Sequence, residues 1–217
     1  MDILLGLGIS LPIVTSNGIS VVTGVSQGVR QQQRANAEEK ERMRKFHIDV
    51  STEDGSLEGI VTLRDGRLWI ESQTSHVHPF TGFFLPYPSP SPPHPLGMVS
   101  TISADPPLLN WIYIDRETNQ VMYGNRTASI QHIVNFGYND EGNVLGGDEA
   151  WEGFVIVEDE MGKGKWSLFF DISDDRLRHL PNRGKRRTKE VFLKRRMLED
   201  IPETIGVKTV GNIGVSG

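Results

Sequence analysis

The chain has 217 residues and no Cys, which is long enough to bury a core in one domain of ordinary size and excludes disulfides, thiol nucleophiles and thiolate metal sites together. The missing Cys fits a reducing compartment. A formal net charge of −5 argues against a general nucleic-acid binder.

Between Asp2 and Arg30 there is no ionisable side chain, whereas residues 30–45 are dominated by Arg, Lys and Glu. Such a break separates a segment that tolerates hydrocarbon from one that demands water. The leader Met1-Asp-Ile-Leu-Leu-Gly-Leu-Gly-Ile-Ser-Leu-Pro-Ile-Val14 has the apolar run of a secretory signal without its basic front end or a clear cleavage site, so secretion is not expected. Pro12, Asn17 and the glycines make it a poor membrane span, and Gly24 and Gly28 form a weak G-x-x-x-G. The reading is a segment that packs on the domain, on a protein partner or on a membrane surface, in a cytoplasmic protein; a true span would place the folded domain on the cytoplasmic side. Helix is predicted over residues 18–46, and its alternating charges describe a solvated spacer.

From residue 46 the pattern is strand after strand. Residues 47–50 alternate, and residues 57–63 and 67–72 flank Asp65-Gly66, a pair suited to a tight hairpin turn with positive φ at both positions. His76-Val-His78 places two imidazoles on one side of a strand, as a metal site could use, but no third ligand stands near, and a surface pair is the simpler reading. Residues 86–95 hold six Pro in ten positions. They form either a rigid loop across one end of the β body or an SH3 or WW ligand, and the lack of a basic residue beside the prolines favours the loop.

Residues 110–115 and 120–124 make a second hairpin through Arg116-Glu-Thr-Asn119, and residues 152–158 and 165–171 a third around Met161-Gly-Lys-Gly164. Asn125-Arg-Thr127 is a formal glycosylation acceptor, relevant only on the secretory route. Trp69, Trp111, Trp151 and Trp166 fall in or beside strands, as core rings or as a stacking surface. Trp151, Val155 and Val157 are assigned to one face of their strand and Phe154 and Ile156 to the other, which makes it a central strand, with Gly153 a bulge or a close contact under a ring.

Asp171, Ser173 and Asp175 alternate like the start of a Ca²⁺ loop, but Arg176 stands where Gly should be and Asn182 where a bidentate Glu belongs. A turn that caps strand backbone is the better account. Residues 127–162 contain eight Asp or Glu and no Lys or Arg, whereas residues 176–196 contain ten Lys or Arg and one Glu. The basic run could meet anionic lipid, contact nucleic acid, or pair with the acidic stretch as a charged sheet edge; the edge is preferred and nucleic acid is the weakest of the three. Residues 189–195 read as a closing strand with Val191 and Leu193 on one face, and residues 198–217 as a poorly ordered tail.

The words Gly24-Val-Ser-Gln-Gly-Val-Arg-Gln-Gln-Gln33, His78-Pro-Phe-Thr-Gly-Phe-Phe-Leu-Pro-Tyr87, Asp105-Pro-Pro-Leu-Leu-Asn-Trp-Ile-Tyr-Ile-Asp115, Trp151-Glu-Gly-Phe-Val155 and Leu168-Phe-Phe-Asp171 resemble a widespread family of filamentous-fungal proteins. The resemblance covers about residues 20–197 and implies the same order of parts, with no activity to carry over. It departs after Asp171, where the family tends towards Asp-x-Asp-Asp-Asp-Gly and this chain has Asp171-Ile-Ser-Asp-Asp-Arg176.

The expected architecture is all-β: an antiparallel sandwich or barrel of about seven to nine strands over residues 46–197, preceded by a helical segment over residues 1–45. No hydrolase elbow, nucleotide-binding glycine loop or zincin motif occurs, and no catalytic, cofactor or metal residue is assigned. Two functions remain. One is a non-enzymatic interaction module held at a membrane or partner by residues 1–45, with anionic lipid a candidate for residues 176–196. The other is a small-molecule barrel that binds or isomerises an apolar metabolite without a cofactor.

Overall fold

The computed structural model describes residues 20–72, 79–89, 94–104, 107–132, 134–160, 164–180 and 186–198. The chain divides into two compact units, residues 1–41 and 42–217. Helix α1 (Ser20–Met43) exposes residues 28–40 to solvent, and Gln32 donates to Asn36 one turn on at 2.9 Å. The helix was expected to reach Phe46. It stops earlier because Phe46 is wholly buried as the first residue of a strand, and burial of a large ring outweighs helix propensity. Among the described residues no helix is long and apolar enough to cross a membrane.

Thirteen strands follow among the described residues: β1 (Phe46–Ser51), β2 (Glu58–Arg64), β3 (Arg67–Glu71), β4 (Gly82–Pro86), β5 (Leu96–Ala104), β6 (Pro107–Ile114), β7 (Val121–Gly124), β8 (Phe136–Tyr138), β9 (Val144–Gly146), β10 (Phe154–Glu158), β11 (Trp166–Phe170), β12 (Thr188–Glu190) and β13 (Phe192–Met197). A one-turn helix, α2 (Arg126–Ser129), lies between β7 and β8. Asn125, the formal glycosylation acceptor, caps α2 by accepting from the Ala128 N–H at 3.0 Å.

All the strand pairings are antiparallel, and the sheet closes: β3-β2-β1-β4-β5-β6-β7 are hydrogen-bonded neighbours in order, and β7 returns to β3 through Arg67 and Met122. This is a seven-strand barrel with extra strands attached. The same four-strand order recurs three times along the chain, each time with a hairpin in the middle: β2–β3, β6–β7 and β10–β11. The hairpins meet pairwise. β3 pairs with β7, Ile70 of β3 with Trp166 of β11, and Gln120 at the head of β7 with Phe169 of β11. The outer strands of the three units, β1, β4, β5, β8, β9 and β13, join in the same threefold way: β1 pairs with β13 and β4, β4 with β5, and β8 with β9, while β5 lies beside β8 and Asn143 bridges to Lys194 of β13.

The turns form as the sequence dictates. Asp65 and Gly66 take φ of 53° and 76°, the doubly positive turn expected of that pair. Asn119 (φ 56°) ends the second turn, where the Asp115 carboxylate accepts from the Glu117 and Thr118 N–H groups and the Thr118 hydroxyl. The expected closing strand is present but split. Val191 leaves the β12 register to donate its N–H to Phe154 O, and β13 then pairs along the whole of β1.

The barrel interior is filled. Phe46, Phe80, Phe84, Phe136, Phe154 and Phe170 are each no more than 1% exposed. Each such ring contributes about 1.5–3 kcal/mol of burial free energy. A hollow, ligand-holding barrel is therefore not what this core makes.

Strand β10 is central as expected, between β11 and β12, with both faces buried. The face assignment of Trp151 needs correction. It packs with the Phe154 and Ile156 side and meets Phe170 edge-on at 5.6 Å, whereas Val155 and Val157 join Phe169 and Leu177 on the opposite side. The alternation fails because Phe154 N donates to Glu152 O in a tight turn, so the strand only begins at Phe154. Gly153 is the close contact predicted, lying under the Trp151 ring. The other three tryptophans are buried in β3, β6 and β11.

Candidate functional site

Where the hairpins meet, the surface opens into a cleft of about 150 Å³. Its floor is apolar: Val157 of β10, Phe169 of β11, and Leu177 and Leu180 of the loop that follows β11. Its rim is polar, with Arg67 from the start of β3, Glu117 and Thr118 from the β6–β7 turn, and Asp159 and Arg186 from the segments beside β10 and β12, while Ser167 of β11 lies buried beneath them. Gln120, at the head of β7, lines it as well.

Gln120 is the informative residue. It is only 8% exposed, its backbone bridges to Phe169, and its side-chain amide has no hydrogen-bond partner among the described residues. An amide carries two donors and an acceptor, and here its atoms are not fully enclosed, so water at the cleft serves them and a ligand could replace it. The β6–β7 turn sets Gln120 there, since its N–H is taken by the Thr118 hydroxyl at 3.4 Å and the turn is locked by Asp115. Burial alone would push the Asp115 carboxyl up, but hydrogen bonds from the Thr118 hydroxyl and N–H, the Glu117 N–H and the nearby His132 outweigh it and hold it below the usual carboxylate range. Strand assignment placed residue 120 correctly, but nothing in the sequence marks this Gln. Its meaning comes from Phe169, 49 positions away.

The loop after β11 builds the remaining wall. Asp171 is buried at 3% exposure, and its carboxylate accepts from the N–H groups of Arg176 and Leu177. Asp174, Arg176 and Leu177 all take positive φ, between 50° and 59°. Arg176 thus occupies the backbone state that a Ca²⁺ loop reserves for Gly, held there by Asp171. Leu177 follows as a fully covered part of the cleft floor. The backbone-capping turn expected from the sequence is what forms. Asp171, Asp175 and His179 do come within 4.8 Å of one another, but Asp171 is committed to backbone, and Asp175 accepts from the Arg178 and His179 N–H groups and faces the His179 ring at 3.0 Å. Asn182 lies outside the described residues.

The basic run meets the acidic stretch. Arg187 forms a two-pronged pair with Glu158, and Arg186 lies 3.8 Å from Glu160. Further along the run Arg176 pairs with Glu190, Arg196 grips Asp49 through two nitrogens at 2.8–3.1 Å, and Lys189 donates to Ser56. Arg186 and Arg187 thus make the expected pairing with the acidic stretch, and the other contacts join the run to Glu190, Asp49 and Ser56 instead. The ends of the Pro-rich run are anchored: Tyr87 N–H donates to Pro95 O at 2.8 Å, the Tyr87 ring meets Trp111 edge-on at 4.6 Å, and Arg126 reaches Pro88 O. Residues 90–93, His76 and His78 lie outside the described residues.

A second, larger hollow of about 390 Å³ lies beside Trp151, Phe170 and Ile172, with Asp148, Glu149 and Arg116 at its edge.

No curated protein and no solved structure matches the chain at a significant level. The family model for the fungal beta-trefoil domain matches residues 24–199. Three four-strand units around one axis, each contributing a hairpin to a common cap, are the architecture that description names, and the chain belongs to the fungal beta-trefoil domain family.

Proposed function

We propose that this domain is a non-enzymatic binding module and that the cleft at the hairpin junction is its recognition site for a small polar molecule. The observation that carries the reading is Gln120, a residue 8% exposed whose side-chain amide has no protein partner among the described residues and meets water at a concave surface with an apolar floor. Binding rather than catalysis is favoured because Arg67 and Glu117 sit at an exposed rim, where water weakens any acid or base role. The filled barrel argues against the alternative of a ligand held inside it.

The test is a panel of small metabolites titrated into isotopically labelled protein, with the Gln120 side-chain NH₂ signal as reporter. A saturable shift, with a calorimetrically measured affinity that falls at least tenfold in Gln120→Met, supports the site. A ligand that binds equally well to that variant, or a panel that never moves the signal, overturns it.

Tethering is a separate proposal, supported by the uncharged stretch before Arg30 and the basic residues after it. Fractionation of the full chain and of a form lacking residues 1–29 tests it, since detergent-dependent recovery of the full chain alone supports attachment. Recovery of both forms in buffer rejects it. Release by salt alone would credit residues 176–196 and anionic lipid instead.

A further inference from the structure

Taking the Gln120 cleft as the binding site, we infer that its ligand is a small zwitterion with an apolar side chain, an α-amino acid or a molecule of that form. The rim offers one guanidinium and one carboxylate with no ion-pair partner among the described residues, Arg67 from β3 and Glu117 from the β6–β7 turn. They come from different hairpins and line the same small opening. A guanidinium recognises a carboxylate through two parallel hydrogen bonds, and a carboxylate accepts from an ammonium. Gln120 can serve either end of such a ligand, because its amide both donates and accepts.

Below these groups the surface is hydrocarbon: Val157, Phe169 and Leu177 are 1%, 6% and 1% exposed. Phe169 and the half-buried Leu180 are the parts of that floor a ligand can still cover. The opening is small, about 150 Å³, and suits a compact ligand.

Charge decides between ligand classes. A simple anion would face Glu117 and Asp159, and a simple cation would face Arg67 and Arg186, so each meets a like charge at the same rim. A neutral polyol would leave both Arg67 and Glu117 unused. A molecule with both charges and a short apolar branch uses every surface the cleft presents.

The experiment titrates L-leucine, N-acetyl-L-leucine, L-leucinamide and glucose into the full chain, following the Gln120 side-chain NH₂ signal. Leucine is expected to bind saturably, with the acetylated and amidated forms at least tenfold weaker, since each lacks one charge. Arg67→Gln is expected to abolish the preference for leucine over leucinamide, and Glu117→Gln that over N-acetyl-leucine. Both residues are exposed, so neither change threatens the fold. If glucose or a blocked derivative moves the Gln120 signal as strongly as leucine, the zwitterion inference falls while the site stands. If none of the four moves it but another metabolite does, the ligand class is again wrong and the site survives. Silence across this series and the wider panel removes both.

Discussion

A Cβ built on Gly153 would lie 2.5 Å from Cζ2 of Trp151, so the indole fills the space that any other residue at 153 would need. Gly153→Ala therefore forces Trp151 away from its edge-on contact with Phe170 at 5.6 Å. Overpacking of this kind costs about 1–3 kcal/mol. Urea unfolding should show a lower midpoint at unchanged slope, with a changed near-ultraviolet dichroism band from the displaced ring. An alanine variant with wild-type midpoint and spectrum would contradict the contact.

Gln120→Met should behave differently. The amide has no protein partner among the described residues and is served by water at the cleft, so its loss removes no hydrogen bond of the fold. The variant keeps the volume and removes the amide, so the unfolding midpoint is expected to stay level or rise. A fall of more than about 1 kcal/mol would show that the amide is bonded within the fold.

Asp171→Ala should be among the most damaging single changes outside the aromatic core. It removes the acceptor of two buried N–H groups and releases Arg176 and Leu177, both at φ 59°, from a backbone state they do not favour. Loss of hydrogen bonds to a charged acceptor costs about 1.5–3 kcal/mol. Asp171→Asn, which keeps one acceptor oxygen, should recover part of it. Calorimetric scans of the three proteins should rank them wild type, Asn, Ala; identical Asn and wild-type curves would show that the charge is idle.

Acid should destabilise the fold through its turn carboxylates. Asp54, held down by hydrogen bonds from the Ser56 hydroxyl and N–H, and Asp115 both lie below the ordinary carboxylate range in the folded chain. For Asp175 burial pushes upward, but hydrogen bonds from the His179 ring and N–H and the Arg178 N–H prevail and lower it too. A folded value below the unfolded one makes the contribution fully present above about pH 4 and lost as pH falls through the folded value. Urea midpoints should be level from neutral pH to about 4 and fall below it, and Asp115→Asn should be less stable at neutral pH with a shallower acid decline. A decline of unchanged depth in that variant would remove Asp115 from the account.

The parts of this fold that announce themselves in the sequence are those set by local chemistry. Asp65-Gly66 allows only one kind of turn, and Arg116-Glu-Thr-Asn119 and Met161-Gly-Lys-Gly164 sit between apolar runs, so all three central hairpins could be read directly. The outer strands were harder. β4 and β5 flank a proline run that reads as loop, and β8, β9 and β12 are three residues each, too short for alternation to register. Trp151 was placed on the wrong face because a turn at Glu152 breaks the two-residue rhythm. The cleft was invisible for another reason. Arg67, Glu117, Gln120 and Phe169 come from three hairpins, and no spacing along a chain encodes which hairpins will touch.

β13 covers the first strand of the barrel: residues 46–51 of β1 lie against residues 192–197 in unbroken register. During synthesis the first strand leaves the ribosome about 140 residues ahead of the one that covers it. Until then the nascent chain carries a bare apolar strand edge, and contacts this distant in sequence make for slow closure. Translational pausing before β13 would prolong that exposure, whereas an already joined pair of hairpins, β2–β3 with β6–β7, could wait as a preformed platform for the last unit to dock.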